Sequence, residues 1–351
     1  MQALVTDPRT PHSTHVADVP EPDAGEDSVL LRALEVGVCG TDREISEGLF
    51  GVLPDGEERL VLGHELLGVV ERDGHGFARG DLVTATVRRS CGHCAACAVG
   101  APDACDTGDY LERGITRLDG FAAELVTEAP ENLVAVPPSL GRLGVLAEPT
   151  SICERGLRHI RAIGGRQPWS PRRALVLGAG AIGMIGTYLL RMDGFEVWTA
   201  RRSRHSERAE LVEACGARAL ATGDMPLEEL AADVGGFDVV FEAAGSAQLM
   251  LDSLALLRRN GVACLLGIDG RPGRVSIDGS VLAMDAILQN RALFGSVNAN
   301  RVDWRAAVED LDAARARWPD ALEAFVGLRV PLDAFADAFE YHGVKATLQL
   351  G

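Results

Sequence analysis

The sequence predicts an α/β protein built from two unlike parts, a β-rich, irregular antiparallel domain and a doubly wound parallel sheet covered by helices. Three observations predict it. The 351 residues exceed a typical domain of about 100–200 residues and suggest two. From residue 173 to about 295, short apolar strand patterns alternate with helical ones, a βαβ rhythm. Before residue 150 the chain instead carries short β-rich runs such as VLLRALEVGV and LGVVERDG, broken by Gly and Asp.

Composition narrows the function. A hydrophobic content of 47% with 40 glycines supports a packed core with tight turns, not a disordered chain. The formal charge of −17, with no compensating basic stripe, argues against a nucleic-acid partner. The basic residues are 33 Arg and a single Lys, Lys345. An acidic, lysine-poor surface fits adaptation to salt, which screens its self-repulsion; a GC-rich genome produces the same bias, and both readings stand. No apolar run reaches the roughly 18 residues of a membrane span, so no membrane partner is expected. The start, MQALVTDPRT, lacks the basic-then-apolar order of a signal peptide. The expected compartment is the cytoplasm, where clustered cysteines more often bind metal than form disulfides.

Taken in chain order, the first part holds three polar clusters and a cysteine quartet. Cys39-Gly40-Thr41-Asp42 comes first and Gly63-His64-Glu65 second. Next, in SCGHCAACAVGAPDACDTGDY, Cys91, Cys94, Cys97 and Cys105 are spaced C-x2-C-x2-C-x7-C. Four thiolates suit a closed tetrahedral zinc site with no opening for substrate; an iron–sulfur cluster and unmetallated thiols are the alternatives, the first weakened by the missing C-x3-C-P continuation. The last cluster is Glu148 in LAEPTS. Cys39, His64 and one carboxylate, Glu65 or Glu148, leave an open position on a second, catalytic zinc. A buried thiol and a hydrogen-bonded core histidine is the plain alternative. Cys153, Cys215 and Cys264 sit in apolar patterns and read as core residues.

The second part opens with RALVLGAGAIG, residues 173–183. An apolar strand runs into Gly178, Gly180 and Gly183, with Ala181 and Ile182 at the start of the helix MIGTYLLRM. Strand, glycine turn and helix N-terminus form a pyrophosphate site. The next strand, FEVWTA, ends in Ala200, Arg201, Arg202, Ser203 and Arg204, with no carboxylate for a ribose 2′-hydroxyl. Arginines there suit a 2′-phosphate, so NADP is expected over NAD; a solvated arginine loop, or use of both cofactors, is the competing reading. Further on, FDVVFEAAGS predicts a strand, and SLALLRRNGVACLLGI a helix, a turn at Gly261 and a strand over 262–268.

The pieces VGVCGTD, GHE, GDLV, CGHCAACAVGAPDAC and LVLGAGAIG, in this order along most of the chain, resemble the zinc-containing medium-chain dehydrogenases. Within that family DYLERGI, ITRLDGFAAELV, LAEPTSICERGL, LFGSVNAN and the Arg201-Arg202 pair most resemble archaeal glucose dehydrogenases, those of halophiles especially. The resemblance implies a GroES-like catalytic domain over 1–150 with a structural-zinc lobe at 90–110. It implies a Rossmann domain over 151–295 and a return to the catalytic domain over 296–351. It implies Cys39 and His64 as catalytic zinc ligands, with Glu65 and Glu148 beside the metal, and Thr41 as the hydroxyl relay. Glu112 and Asn298, with Thr41 and Glu148, would line a sugar pocket; Glu112 as a solvated residue, and Thr41 and Asn298 as turn residues, are the plain alternatives. The implied reaction is oxidation of β-D-glucose or a related aldose at C1 to the aldonolactone by NADP, in a homodimer or homotetramer. A polyol or alcohol dehydrogenase, a zinc-independent ketone or enoyl reductase, and a non-enzymatic NADP-binding protein are the rivals.

Overall fold

The computed structural model describes residues 1–202, 206–268 and 273–350. They divide into two compact units, one of the described residues within 1–151, 298–315 and 325–350, the other of those within 152–297 and 316–324.

The first unit is built on the ten-residue strand Val29–Val38, whose first six positions alternate between buried and half-buried before the last four bury fully. Such a strand faces solvent in part at one end and core on both sides at the other. Leu125–Glu128 and Glu65–Val70 pair with it antiparallel. Lys345–Gln349 does so too, at its end. The sheet continues through Leu82–Ala85 to Leu133–Ala135 on one side and to Val326–Pro331 on the other. The chain's last strands thus lie in the same sheet as its first third. A separate three-stranded sheet pairs Arg88–Arg89 with Leu111–Arg113, and the latter with Arg117–Leu118. The cysteine-rich stretch is the excursion between its first two strands.

The second unit holds a six-stranded sheet whose paired strands all run parallel, in the order 218–221, 196–201, 173–177, 237–242, 257–265, 292–295. The order reverses direction between Arg173–Leu177 and Phe237–Glu242, the switch point at which such sheets bind ligands. Leu175, Val176, Val239 and Val240 are fully buried, as strands covered on both faces require. One expectation is corrected. The strand expected over 262–268 runs over Leu257–Leu265, and Gly261 lies inside it. Leu257 pairs with Phe237 and Val262 with Val239, so residues 258–261 bulge out opposite Asp238 alone. Asn260 takes the positive φ of 65°, and Arg258 holds Asp238 at 3.3 Å. The turn chemistry is present but is absorbed as a bulge, because Leu257 gains a ladder partner before it.

Candidate active site

Cys39 directly follows the central strand Val29–Val38 of the first unit and caps the helix Gly40–Ser46. Its sulfur accepts the Thr41 amide at 3.3 Å, and its own amide donates to Asp42 Oδ2 at 2.9 Å. This reciprocal cap fixes both side chains. Thr41 is half-buried in that helix's first turn. His64 directly precedes the neighbouring strand Glu65–Val70, which Glu65 begins. The pairing sets His64 Nε2 3.1 Å from Cys39 Sγ and His64 Nδ1 3.4 Å from Asp42 Oδ1. A carboxylate on Nδ1 leaves Nε2 aimed at the sulfur, the arrangement that orients a metal-binding imidazole. Burial opposes charge on His64, but the Cys39 and Asp42 charges outweigh it and raise the pKa well above its ordinary value. A proton or a metal cation fills the gap between sulfur and nitrogen; the same lone pairs serve either.

Glu65 lies over Gly37, its cross-strand partner. A Cβ at Gly37 would fall 2.0 Å from Glu65 Oε2, so only glycine leaves room for this carboxylate. Oε1 takes a 2.6 Å bond from Lys345 Nζ, which also donates to the Val38 carbonyl at 3.3 Å. Oε2 is buried with no hydrogen-bond partner. Donor atoms of Cys39, His64 and Glu65 lie within 4.8 Å of one another. Two lone pairs and an orphaned carboxylate oxygen converging in a buried site fit a zinc ion. Glu148, in the first turn of the helix Ala147–Gly164, is buried outside that group of three. Burial, and next the charge of Glu65, push its pKa up to about 8.

The four lobe cysteines converge on one point, with donor atoms again within 4.8 Å. The Cys94 amide donates to Cys91 Sγ and the Cys97 amide to Cys94 Sγ, each at 3.4 Å. Amide hydrogen bonds, that of His93 first, pull the Cys91 thiol down to about 5. Cys94, despite amide bonds from Cys97 and Asp106, is pushed up to about 11 beside its neighbouring sulfurs. Four sulfurs this close cannot all carry charge without a cation, and a closed zinc resolves the conflict.

Glu112 is buried, not solvated. Its Oε1 accepts Arg88 Nε at 3.0 Å and Asn298 Nδ2 at 2.8 Å; its Oε2 takes one long bond, 3.4 Å, from Thr116 Oγ1. Asn298 holds the left-handed conformation, φ 64°, and its Oδ1 accepts the Ala299 amide. The two candidate sugar residues, 186 positions apart, are direct partners.

In the second unit Gly180 caps the helix Ala181–Met192 without a side-chain cap. The first-turn amides of Ala181, Ile182 and Gly183 thus form an uncapped, electropositive end. A Cβ at Gly180 would meet nothing within 4 Å, whereas one at Gly183 would fall 2.0 Å from the Gly178 carbonyl oxygen. Open space before the amides and close packing behind them fit a pyrophosphate. Arg201 closes the strand Glu196–Arg201 and the exposed Arg202 follows it; Ser203 and Arg204 lie outside the described residues.

Three residues to which the sequence alone gives no role take part here: Asp42, Lys345 and Arg88. Asp42 carried a signal, the three-residue cap spacing from Cys39. So did Lys345, the only lysine. Arg88 carried none.

Residues 25–138 match the alcohol dehydrogenase GroES-like domain and residues 141–350 the glucose dehydrogenase C-terminus. A glucose 1-dehydrogenase of Methanocella arvoryzae is 42% identical, with 100% of each chain covered. That of Halobacterium salinarum is 38% identical, covering 97% of this chain and 96% of its own. Among solved structures, Haloferax mediterranei glucose dehydrogenase in complex with NADP, Zn and gluconolactone superposes with a TM-score of 0.92 at 32% identity, over 100% of this chain and 99% of that one.

Proposed function

The chain belongs to the glucose dehydrogenase family of zinc-containing, GroES-like medium-chain dehydrogenases, and from that premise we infer that it is a glucose 1-dehydrogenase. It oxidises β-D-glucose, or a related aldose, at C1 to the aldonolactone while NADP becomes NADPH. The observation that carries this reading is 42% identity over the full length to a glucose 1-dehydrogenase, in a chain whose Cys39, His64 and Glu65 bring their ligand atoms within 4.8 Å of one another.

Zinc held by Cys39, His64 and the carboxylate of Glu65 or Glu148 would supply the Lewis acid that makes the C1 hydroxyl acidic, and NADP the two-electron acceptor. The chain's own residues do the rest. Asp42 holds the His64 ring so that Nε2 faces the metal position. Lys345 neutralises Glu65, so the pocket carries fewer unpaired negative charges beside Glu148. Thr41, two residues from Cys39, takes the substrate hydroxyl's proton towards solvent. Glu112 and Asn298 hydrogen-bond sugar hydroxyls and reject ligands that would leave them unpaired. Gly178, Gly180, Ala181, Ile182 and Gly183 receive the pyrophosphate, and Arg201 and Arg202 the 2′-phosphate. A second zinc in the Cys91, Cys94, Cys97 and Cys105 lobe is structural.

The protein acts as a homo-oligomer in the cytoplasm. Supporting the first is the strand Ala292–Gly295 at the end of the parallel sheet, preceded in the chain by the exposed Leu282, Met284, Ile287 and Leu288. An open edge beside apolar side chains suits a second copy of the same chain. Supporting the second are eight cysteines that form no disulfide among the described residues, as thiols persist where the compartment is reducing. Among the described residues, no helix is long and apolar enough to cross a membrane.

The experiment is the initial rate of reduced-cofactor formation with D-glucose, D-galactose, D-xylose, a polyol and ethanol, with NADP and with NAD, at low and high salt. Glucose with NADP is expected to lead. A preference for ethanol or a polyol would reject C1 oxidation. Replacing Arg201 and Arg202 by Ala should weaken NADP roughly ten- to a hundredfold, the worth of one or two charge-assisted hydrogen bonds, and NAD far less; equal losses would remove the 2′-phosphate role.

A further inference from the structure

We propose that Arg88 is a positioning residue that ties the closed cysteine lobe to Glu112, so that the integrity of the lobe is read out in the enzyme's choice of sugar. The inference rests on the reading that Glu112 faces the sugar.

Topology makes the case first. Arg88 and Glu112 are direct cross-strand partners. Their strands, Arg88–Arg89 and Leu111–Arg113, are two and three residues long, too short to fix a register unaided. What joins them is residues 90–110, the excursion that carries Cys91, Cys94, Cys97 and Cys105. A metal that closes this lobe removes most of the conformational freedom of the connection and brings its ends together.

The side chains make the second case. Arg88 is buried and its fork is divided between two partners. Nε donates to Glu112 Oε1 at 3.0 Å, and Nη1 donates at 3.0 Å to the carbonyl of Asp103. Asp103 lies in the turn Pro102–Ala104, directly before Cys105. The guanidinium also stacks 3.7 Å above the Tyr110 ring. A planar fork held on three sides has one orientation. It saturates Glu112 Oε1 together with Asn298 and turns Oε2, with its single long bond, into the oxygen free to accept a sugar hydroxyl. Displacing the Asp103 carbonyl therefore displaces Arg88, and with it the angle at which Glu112 meets substrate.

The test uses the zinc-loaded full-length protein as wild type and as Arg88→Gln, Arg88→Lys and Glu112→Gln. Three quantities are read: kcat and KM separately for D-glucose, D-galactose and D-xylose; KM for NADP; and the rate of zinc release to a chromogenic chelator. Arg88→Gln is expected to speed release of one zinc per chain on the order of tenfold. It should also shift the glucose-to-galactose ratio of kcat/KM about tenfold, through sugar KM, with KM for NADP unchanged. Arg88→Lys keeps a charge beside Glu112 but cannot reach both partners. It should fold as wild type and recover part of the sugar ratio while zinc release stays fast. Faster zinc release with an unaltered sugar ratio would overturn the coupling. So would an equal loss of kcat on every sugar, the mark of a merely structural role, or zinc release that stays at the wild-type rate. Glu112→Gln separates the premise from the proposal. If it leaves the sugar profile unchanged, Glu112 does not face the sugar and the inference falls with that reading; if it shifts the profile while Arg88→Gln does not, only the coupling falls.

Discussion

At the scale of single residues, the lone lysine is the most informative side chain. Arginine fills 33 of the chain's 34 basic positions. Lysine appears where a compact ammonium must fit, 2.6 Å from Glu65 Oε1 and 3.3 Å from the Val38 carbonyl, in a site that leaves it 2% exposed. A guanidinium there would bring more N–H groups than acceptors. Burial works against the charge of Lys345, and Glu65 more than restores it, leaving the pKa raised. Lys345→Met should therefore cost about 3–5 kcal/mol, because it strands a buried carboxylate. Urea unfolding reads this directly. Added zinc should recover part of the loss, since a divalent cation neutralises the same carboxylate. An unchanged midpoint would show that Glu65 does not need its partner.

At the scale of elements, a buried carboxylate fastens the small sheet to the large one. Glu128 ends the strand Leu125–Glu128. It accepts Arg113 Nε at 3.0 Å and Asn132 Nδ2 at 2.8 Å, and pairs with Arg89 as well. Arg89 and Arg113 belong to the strands that flank the cysteine lobe. Burial raises the Glu128 pKa, but the two guanidinium charges outweigh it and the net shift is downward. A carboxyl whose folded pKa lies below its unfolded value near 4.3 stabilises the fold above that value and loses the contribution as pH falls through the folded pKa. Glu128→Gln should thus cost about 3 kcal/mol at neutral pH, as for one broken buried pair, and almost nothing near pH 2. Denaturant midpoints at both pH values check it; a gap that does not narrow in acid would reject the ionic origin. The cysteine lobe between these strands was legible from spacing alone, because its ligands are close in sequence. The bulge at residues 258–261 was not, because Gly261 looks the same whether the next strand begins before it or after it, and only the Leu257–Phe237 pairing decides.

At the scale of the whole molecule, the open edge strand and the charge pull in opposite directions. Exposed Leu282, Met284, Ile287 and Leu288 favour association, while a net charge of −17 opposes it until salt screens the repulsion. Ile287→Asp combined with Leu288→Asp should lower the mass in solution to that of one chain, and added salt should not lower the wild-type mass. Light scattering after gel filtration reads both; a wild-type mass of one chain would reject the proposed homo-oligomer, and a double variant with an unchanged oligomeric mass would reject this edge as its interface.

The sequence by itself determined what short range determines: the cysteine quartet, the glycine turn before its helix, the arginines at the end of the second parallel strand and the apolar strand that centres the first unit. Each is fixed by neighbours a few residues away, where closing the chain costs little entropy and the residue types carry the chemistry. Only the tertiary structure decided which distant residues meet. Lys345 reaches Glu65 across 280 positions because both flank the strand Val29–Val38, where Ala346 pairs with Val38 and Glu65 with Gly37. Asn298 reaches Glu112 across 186 positions, and Arg88 faces Glu112 through the register of two very short strands. Sheet register moves every side chain of a strand together, so these meetings are properties of the assembled sheet and of no local run of sequence.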